Sequence, residues 1–119
     1  MSIYADLILD HYQYPRNNKK LEHPTRIIDV SNPLCGDKLH FEIVEKDGKV
    51  QEIGFTGEGC AISIASASML SEHALGKSTE ILRTLTKEDV LGLLGIELTP
   101  NRLKCALLAK EALLKLISH

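Results

Sequence analysis

The sequence predicts an α+β fold in which a small three-stranded antiparallel sheet carries helices on one face. Three observations predict it. Apolar and polar residues alternate strictly from Lys38 to Ile43, a Lys46-Asp47-Gly48-Lys49 turn tract follows, and capped, helix-like segments fill the second half of the chain. With 119 residues the chain can bury one core but not two, so residues 1–119 are expected to form a single domain with no internal linker.

The first element expected is a short amphipathic helix from Ile3 to Tyr14, with an inward stripe of Ile3, Leu7, Ile8 and His11/Tyr12; Pro15 ends it and Arg16 to Lys20 form a polar turn. Ile27 to Val30 reads as a first strand. In the second, Leu39, Phe41 and Ile43 face one way and Lys38, His40 and Glu42 the other, and Asp47-Gly48 turns the chain into a third strand from Val50 to Thr56. From Cys60 to Leu75 small and apolar residues run without a breaker until Gly76, a natural glycine just past a helix end. Their small size suits close packing on the sheet. Thr79 is expected to cap a segment from Glu80 to Leu85, and Thr86 one from Lys87 to Leu94 that Gly95 stops. Thr99-Pro100 opens the last helix, which runs to about Ile117 and buries Leu103, Leu107, Leu113, Leu114 and Ile117.

A net charge of −2 provides no basic footprint for a nucleic-acid backbone. The first residues lack the basic-then-apolar layout of a signal peptide, and no apolar run approaches the ~20 residues of a membrane span. A cytoplasmic protein with neither nucleic-acid nor membrane partners is the expectation.

The three cysteines form no CxxC pair, and an odd, widely spaced set leaves buried thiols, metal ligands or redox chemistry open. Each lies in a suggestive tract. Cys35 and Asp37 flank Gly36 in the loop expected between the first two strands, so an extended or gently turned backbone aims both side chains one way, as a two-ligand clip. Cys60 follows Gly57-Glu58-Gly59 at a strand-to-helix junction, and Cys105 lies about one turn into the last helix. If both helix starts meet at one end of the sheet, the site holds three sulfurs and one carboxylate oxygen, a set that suits tetrahedral zinc or iron in a cluster. The plainer alternative is that the cysteines fill the core. His11, His23, His40, His73 and His119 all have ordinary explanations, and Ser63, Ser66, Ser68 and Ser71 read as small helix-packing residues. Gly57-Glu58-Gly59 lacks the remaining signature of a phosphate loop.

The tracts Ile8 to Tyr12, Pro15-Arg16-Asn17, Asn32 to Asp37, Gly57 to Ser63 and Ala65 to Met69 together resemble the U-type iron-sulfur cluster assembly family: IscU, SufU and the N-terminal domain of NifU. The resemblance implies a scaffold that receives sulfur from a cysteine desulfurase, builds a transient [2Fe-2S] cluster with iron and passes it to acceptor apoproteins or carrier proteins. Zn2+ commonly occupies the same ligands. The resemblance assigns the ligand positions to Cys35, Asp37, Cys60 and Cys105; sulfur chemistry then makes Asp37 the weak, exchangeable oxygen ligand and Cys105, beside Lys104 near a helix start, the first choice as sulfur acceptor. IscU-like members have His before the third cysteine; Lys104 here is similar to the SufU branch, yet the 45 residues from Cys60 to Cys105 leave no room for that branch's insertion. The alternative function is therefore a zinc-dependent sulfurtransferase that relays persulfide without building a cluster. Where IscU has a Leu-Pro-Pro-Val-Lys segment, Leu98 to Arg102 read Leu-Thr-Pro-Asn-Arg, which leaves an Hsp70-type chaperone doubtful as a partner.

Overall fold

A computed structural model describes residues 3–33 and 36–117. The chain order is α1 (Ile3–Gln13), β1 (Arg26–Asn32), β2 (Asp37–Lys46), β3 (Lys49–Glu58), α2 (Ala61–Ala74), α3 (Thr79–Leu82), α4 (Lys87–Leu94) and α5 (Pro100–Ile117). The strands form one antiparallel sheet in the order β1-β2-β3, as the alternation predicts. No described helix is long and apolar enough to cross a membrane.

The sheet buries one face because period-two side chains stack in register. Ile28, Phe41 and Phe55 form one row across the three strands, and Val30, Leu39 and Gly57 the next. The Phe41 and Phe55 rings stack at 5.5 Å, both fully buried; burying such a ring contributes roughly 2–3 kcal/mol. Asp47 and Gly48 have φ of 55° and 73° between β2 and β3, the backbone that a two-residue hairpin with a matching twist needs.

Two helices cover this face. α2 packs on β3, and α5 on β1, β2 and α2. From Ile62 to Ser71 every residue of α2 is buried, so the helix is enclosed nearly all round. Its serines fit there because their hydroxyls find acceptors: Ser66 donates to the Ala106 carbonyl at 3.1 Å, and Ser71 to the Ser68 carbonyl at 2.7 Å.

Several boundaries and faces differ from the sequence expectation. In α1, Ile8 and His11 point inward while Leu7 and Tyr12 are exposed, because among the helices α1 packs chiefly on α2. His11 Nδ1 lies 2.7 Å from Ser68 Oγ, which also accepts from the Arg16 backbone N–H at 2.8 Å. The following segment crosses the outer edge of β3, where the Phe55 N–H donates to the Asn17 carbonyl at 2.9 Å. It then reaches the other sheet face, where the Leu21 N–H donates to Glu42 at 2.8 Å. Glu42 is therefore buried rather than solvated. Ser78, not Thr79, caps α3: its hydroxyl accepts the Ile81 N–H at 3.1 Å, while the Thr79 hydroxyl and N–H both turn to the Gly48 carbonyl. That helix stops at Leu82 and continues as three-residue turns to Leu85. Thr86 caps α4 in a reciprocal box with Asp89, and Gly95 ends it at φ 70°. In α5 the inward face consists of Cys105, Ala106, Leu108, Ala109, Ala112, Leu113, Leu116 and Ile117; Leu103, Leu107 and Leu114 lie at its margins, half-buried. Small residues take the face where α5 approaches α2 closely.

Candidate metal centre

The antiparallel register places the site. Lys38 pairs with Glu58, so Asp37, the first residue of β2, lies beside the Gly59-Cys60 junction. Asp37 is thus a strand residue and not, as expected, part of the loop. Cys60 is the N-cap of α2, with extended backbone and no capping hydrogen bond from its own side chain. Asp37 instead holds the N-cap backbone: its Oδ1 accepts the Cys60 N–H at 2.9 Å. Ser63, at the third helical position, completes the arrangement by donating its hydroxyl to Asp37 Oδ2 at 2.7 Å. A carboxylate from another strand therefore takes the N-cap backbone N–H, as the third-position side chain of a capping box ordinarily does, and the Cys60 sulfur has no capping duty. Glycine at position 59 permits this approach. Its φ is 156°, and a Cβ built there would strike Asp37 Oδ1.

α5 brings the second sulfur. Cys105 is in its second turn and only 4% exposed, with Sγ 3.6 Å from the Asn101 carbonyl. Ser63 Oγ lies 3.4 Å from the Cys105 backbone carbonyl and 3.6 Å from Cys60 Sγ, so one hydroxyl sits against two of the ligand groups and the backbone of the third. One ligating atom from each of Asp37, Cys60 and Cys105 falls within 4.8 Å of the others. Tetrahedral zinc at normal S and O bond lengths wants its donors roughly 3.5–3.8 Å apart, so an inward shift on the order of 1 Å closes the set. The two soft thiols and one carboxylate fit zinc, and they equally fit iron bound to sulfide. Cys35 lies outside the described residues; it is two residues before Asp37 in the chain.

Electrostatically, Asp37 is the most constrained member. It is completely buried. Burial pushes its carboxyl group up, but hydrogen bonds from the Ser63 hydroxyl, the Cys105 thiol and the Cys60 N–H outweigh this and hold it below the usual carboxylate range. It is therefore an anion at neutral pH, ready to ligate. Lys104 is exposed, with Ser31, Pro33, Leu107 and Glu111 around the same shallow cleft. The sequence reading missed Ser63 as a member of the site. Its spacing from Cys60 was the available signal, since residues three apart share one helix face.

His119 lies outside the described residues. His40 sits on the outer sheet face between Asp29 at 2.8 Å and Glu42 at 2.7 Å, and no described histidine joins Asp37, Cys60 and Cys105.

Residues 3–119 match the family model described as the NifU-like N-terminal domain. The chain is 38% identical over 115 residues to the iron-sulfur cluster assembly scaffold protein IscU 1 of Archaeoglobus fulgidus, covering 97% of this chain and 74% of that protein. It is 34% identical to the zinc-dependent sulfurtransferase SufU of Bacillus subtilis over 131 residues, covering 96% of this chain and 88% of the relative. That alignment exceeds the chain's own 119 residues, so SufU carries positions that are missing here. Among solved structures, the NifU-like N-terminal protein of Brucella abortus superposes with a TM-score of 0.79 at 21% identity, over 97% of this chain and 92% of the other, and attests the fold. From a model that spans the described fold and two relatives alike over nearly its full length, the chain belongs to the NifU-like N-terminal domain family.

Proposed function

We propose that the protein is an iron-sulfur cluster assembly scaffold: it accepts sulfur from a cysteine desulfurase, joins it to iron as a transient [2Fe-2S] cluster and passes that cluster on. The observation that carries this reading is the convergence of Asp37, Cys60 and Cys105 within 4.8 Å, with Cys35 two residues from Asp37. Three sulfurs and one oxygen make a cage that is incomplete by the standards of a permanent cluster, which four thiolates normally hold. Iron in a cluster prefers sulfur, so the Asp37 oxygen is the ligand an acceptor's thiolate displaces.

Sulfur arrives by exchange between a persulfide and a thiolate. A cysteine thiolate of this chain attacks the terminal sulfur of the desulfurase persulfide, the S–S bond there breaks, and the desulfurase leaves as its own thiolate. We assign the first acceptance to Cys105. Its thiol must leave the Asn101 carbonyl and become accessible for this step, which docking of the desulfurase would have to bring about. The transferred sulfur becomes sulfide only on gaining two electrons, supplied by ferrous iron and a thiol reductant.

The same donors would hold Zn2+, which organises the site without redox chemistry. This supports a second reading, a zinc-dependent sulfurtransferase, favoured by the 34% identity to SufU and by Lys104 before Cys105. One experiment separates the two. The protein is incubated anaerobically with a cysteine desulfurase, cysteine and ferrous iron; the intact mass is read before a dithiol reductant, which would strip a persulfide, is added, and the visible spectrum is followed after it. A protein-bound [2Fe-2S] chromophore supports the scaffold. A gain of about 32 Da per accepted sulfur with no chromophore replaces it with the sulfurtransferase.

A further inference from the structure

Ser63 lies against Asp37, Cys60 and the backbone of Cys105, although its own chemistry suits it to no ligand role. Its hydroxyl carries a single hydrogen with three acceptors in reach: Asp37 Oδ2 at 2.7 Å, the Cys105 carbonyl at 3.4 Å and Cys60 Sγ at 3.6 Å. The shortest contact goes to a charged oxygen, where a hydrogen bond is strongest, so the hydrogen belongs to Asp37. The carboxylate is then held at two points. Oδ1 is fixed by the Cys60 backbone and Oδ2 by Ser63, both from the first turn of α2. Oδ2 is also the oxygen 4.0 Å from Cys60 Sγ. With Oδ1 anchored alone, the carboxylate could swing Oδ2 away from the sulfurs; Ser63 removes that freedom.

We infer that Ser63 is a positioning residue for the metal centre, holding Asp37 Oδ2 towards the Cys60 and Cys105 sulfurs. The inference rests on the metal-binding part of the proposed function. Oδ2 has a second lone pair, so the hydroxyl stays on the oxygen while that lone pair meets the ion. Groups that orient a ligand in this way typically carry about 10- to 100-fold in metal affinity. Nothing in the packing demands a hydroxyl at this position, because Ser63 is fully enclosed in a helix where alanine fits as well or better.

The test is Zn2+ affinity, measured anaerobically by competition with a chromophoric chelator, on the reduced protein and on Ser63→Ala, Ser63→Thr, Asp37→Ala and the Asp37→Ala/Ser63→Ala double variant. The expected result is a loss of about tenfold or more in Ser63→Ala, recovery in Ser63→Thr, and no added loss from Ser63→Ala once Asp37 is already gone. A merely structural serine would lower affinity equally with and without Asp37. Ser63→Ala binding Zn2+ as tightly as the parent overturns the inference, and so does a loss that persists undiminished in the Asp37→Ala background. If Asp37→Ala does not fold, the pair Ser63→Ala and Ser63→Thr decides: weakened binding that the restored hydroxyl does not recover overturns it. A parent protein that binds no Zn2+ overturns the metal reading itself, a different result from a parent that binds and a Ser63→Ala that binds equally well.

Discussion

Asp37→Ala should destabilise the metal-free protein by about 2 kcal/mol. Three donors converge on that carboxylate: the Cys60 N–H, the Ser63 hydroxyl and the Cys105 thiol. A hydrogen bond to a charged group is worth about 1.5–3 kcal/mol, and the variant leaves the Cys60 N–H and the Ser63 hydroxyl without that acceptor. Relief from keeping a buried anion dehydrated offsets part of the sum. For a domain of this size, about 2 kcal/mol lowers the melting temperature by roughly 8 °C. Urea unfolding followed by circular dichroism, with a chelator present, measures it. The pH dependence is specific. Because the folded-state pKa is depressed, the stabilisation is fully present above the unfolded value of 3.8 and is lost as pH falls through the folded value. The deficit of Asp37→Ala should therefore be equal at pH 7 and pH 5. A deficit under 0.5 kcal/mol, or one that already shrinks by half between those two pH values, refutes the role given to the carboxylate.

Gly59→Ala should cost about 1–3 kcal/mol and weaken Zn2+ binding, since the new Cβ strikes Asp37 Oδ1 from a backbone conformation that favours glycine; thermal melts and chelator competition read the two effects. His40, hydrogen-bonded to Glu42 and Asp29, has a raised pKa, so its stabilisation is present below 6.5 and lost as pH rises through the folded value. His40→Ala should then cost more at pH 6 than at pH 9 in urea unfolding. His11 has the opposite sign, its pKa lowered chiefly by burial, and His11→Ala should cost more at pH 8 than at pH 5. Cys105→Ser should abolish desulfurase-dependent sulfur uptake and cluster formation together, whereas Cys35→Ser and Cys60→Ser should still take up some sulfur yet hold no cluster, as read by intact mass and visible absorption.

The sheet was legible because one buried face imposes a period of two, and Asp47-Gly48 fixes where the hairpin folds. That same hairpin was enough to bring Asp37 and Cys60 together, since folding the chain at residues 47 and 48 sets Lys38 opposite Glu58. The position of Cys105 was harder to read. It depends on how α5 lies across the sheet, and the leucines that mark an amphipathic helix misstate its inward face when alanines occupy the close contact with α2. Leu7 and Tyr12 misled for a related reason: a helix that packs on one neighbour needs only a narrow stripe. The choice between Ser78 and Thr79 as cap could not be made locally, because the deciding partner, the Gly48 carbonyl, is remote in sequence.

The described ligand candidates come from β2, the N-terminus of α2 and the second turn of α5. Such a site cannot exist in a fragment. Asp37 and Cys60 meet once the hairpin closes and α2 starts, but Cys105 joins only when α5 docks, so the set is complete only with all three elements in place. Closing such long loops in an unfolded chain is entropically costly. An ion on these donors accordingly reads out the completed fold: it favours the assembled chain over every partly folded form by mass action, and undocking α5 alone would be enough to open one side of the cage to an incoming protein.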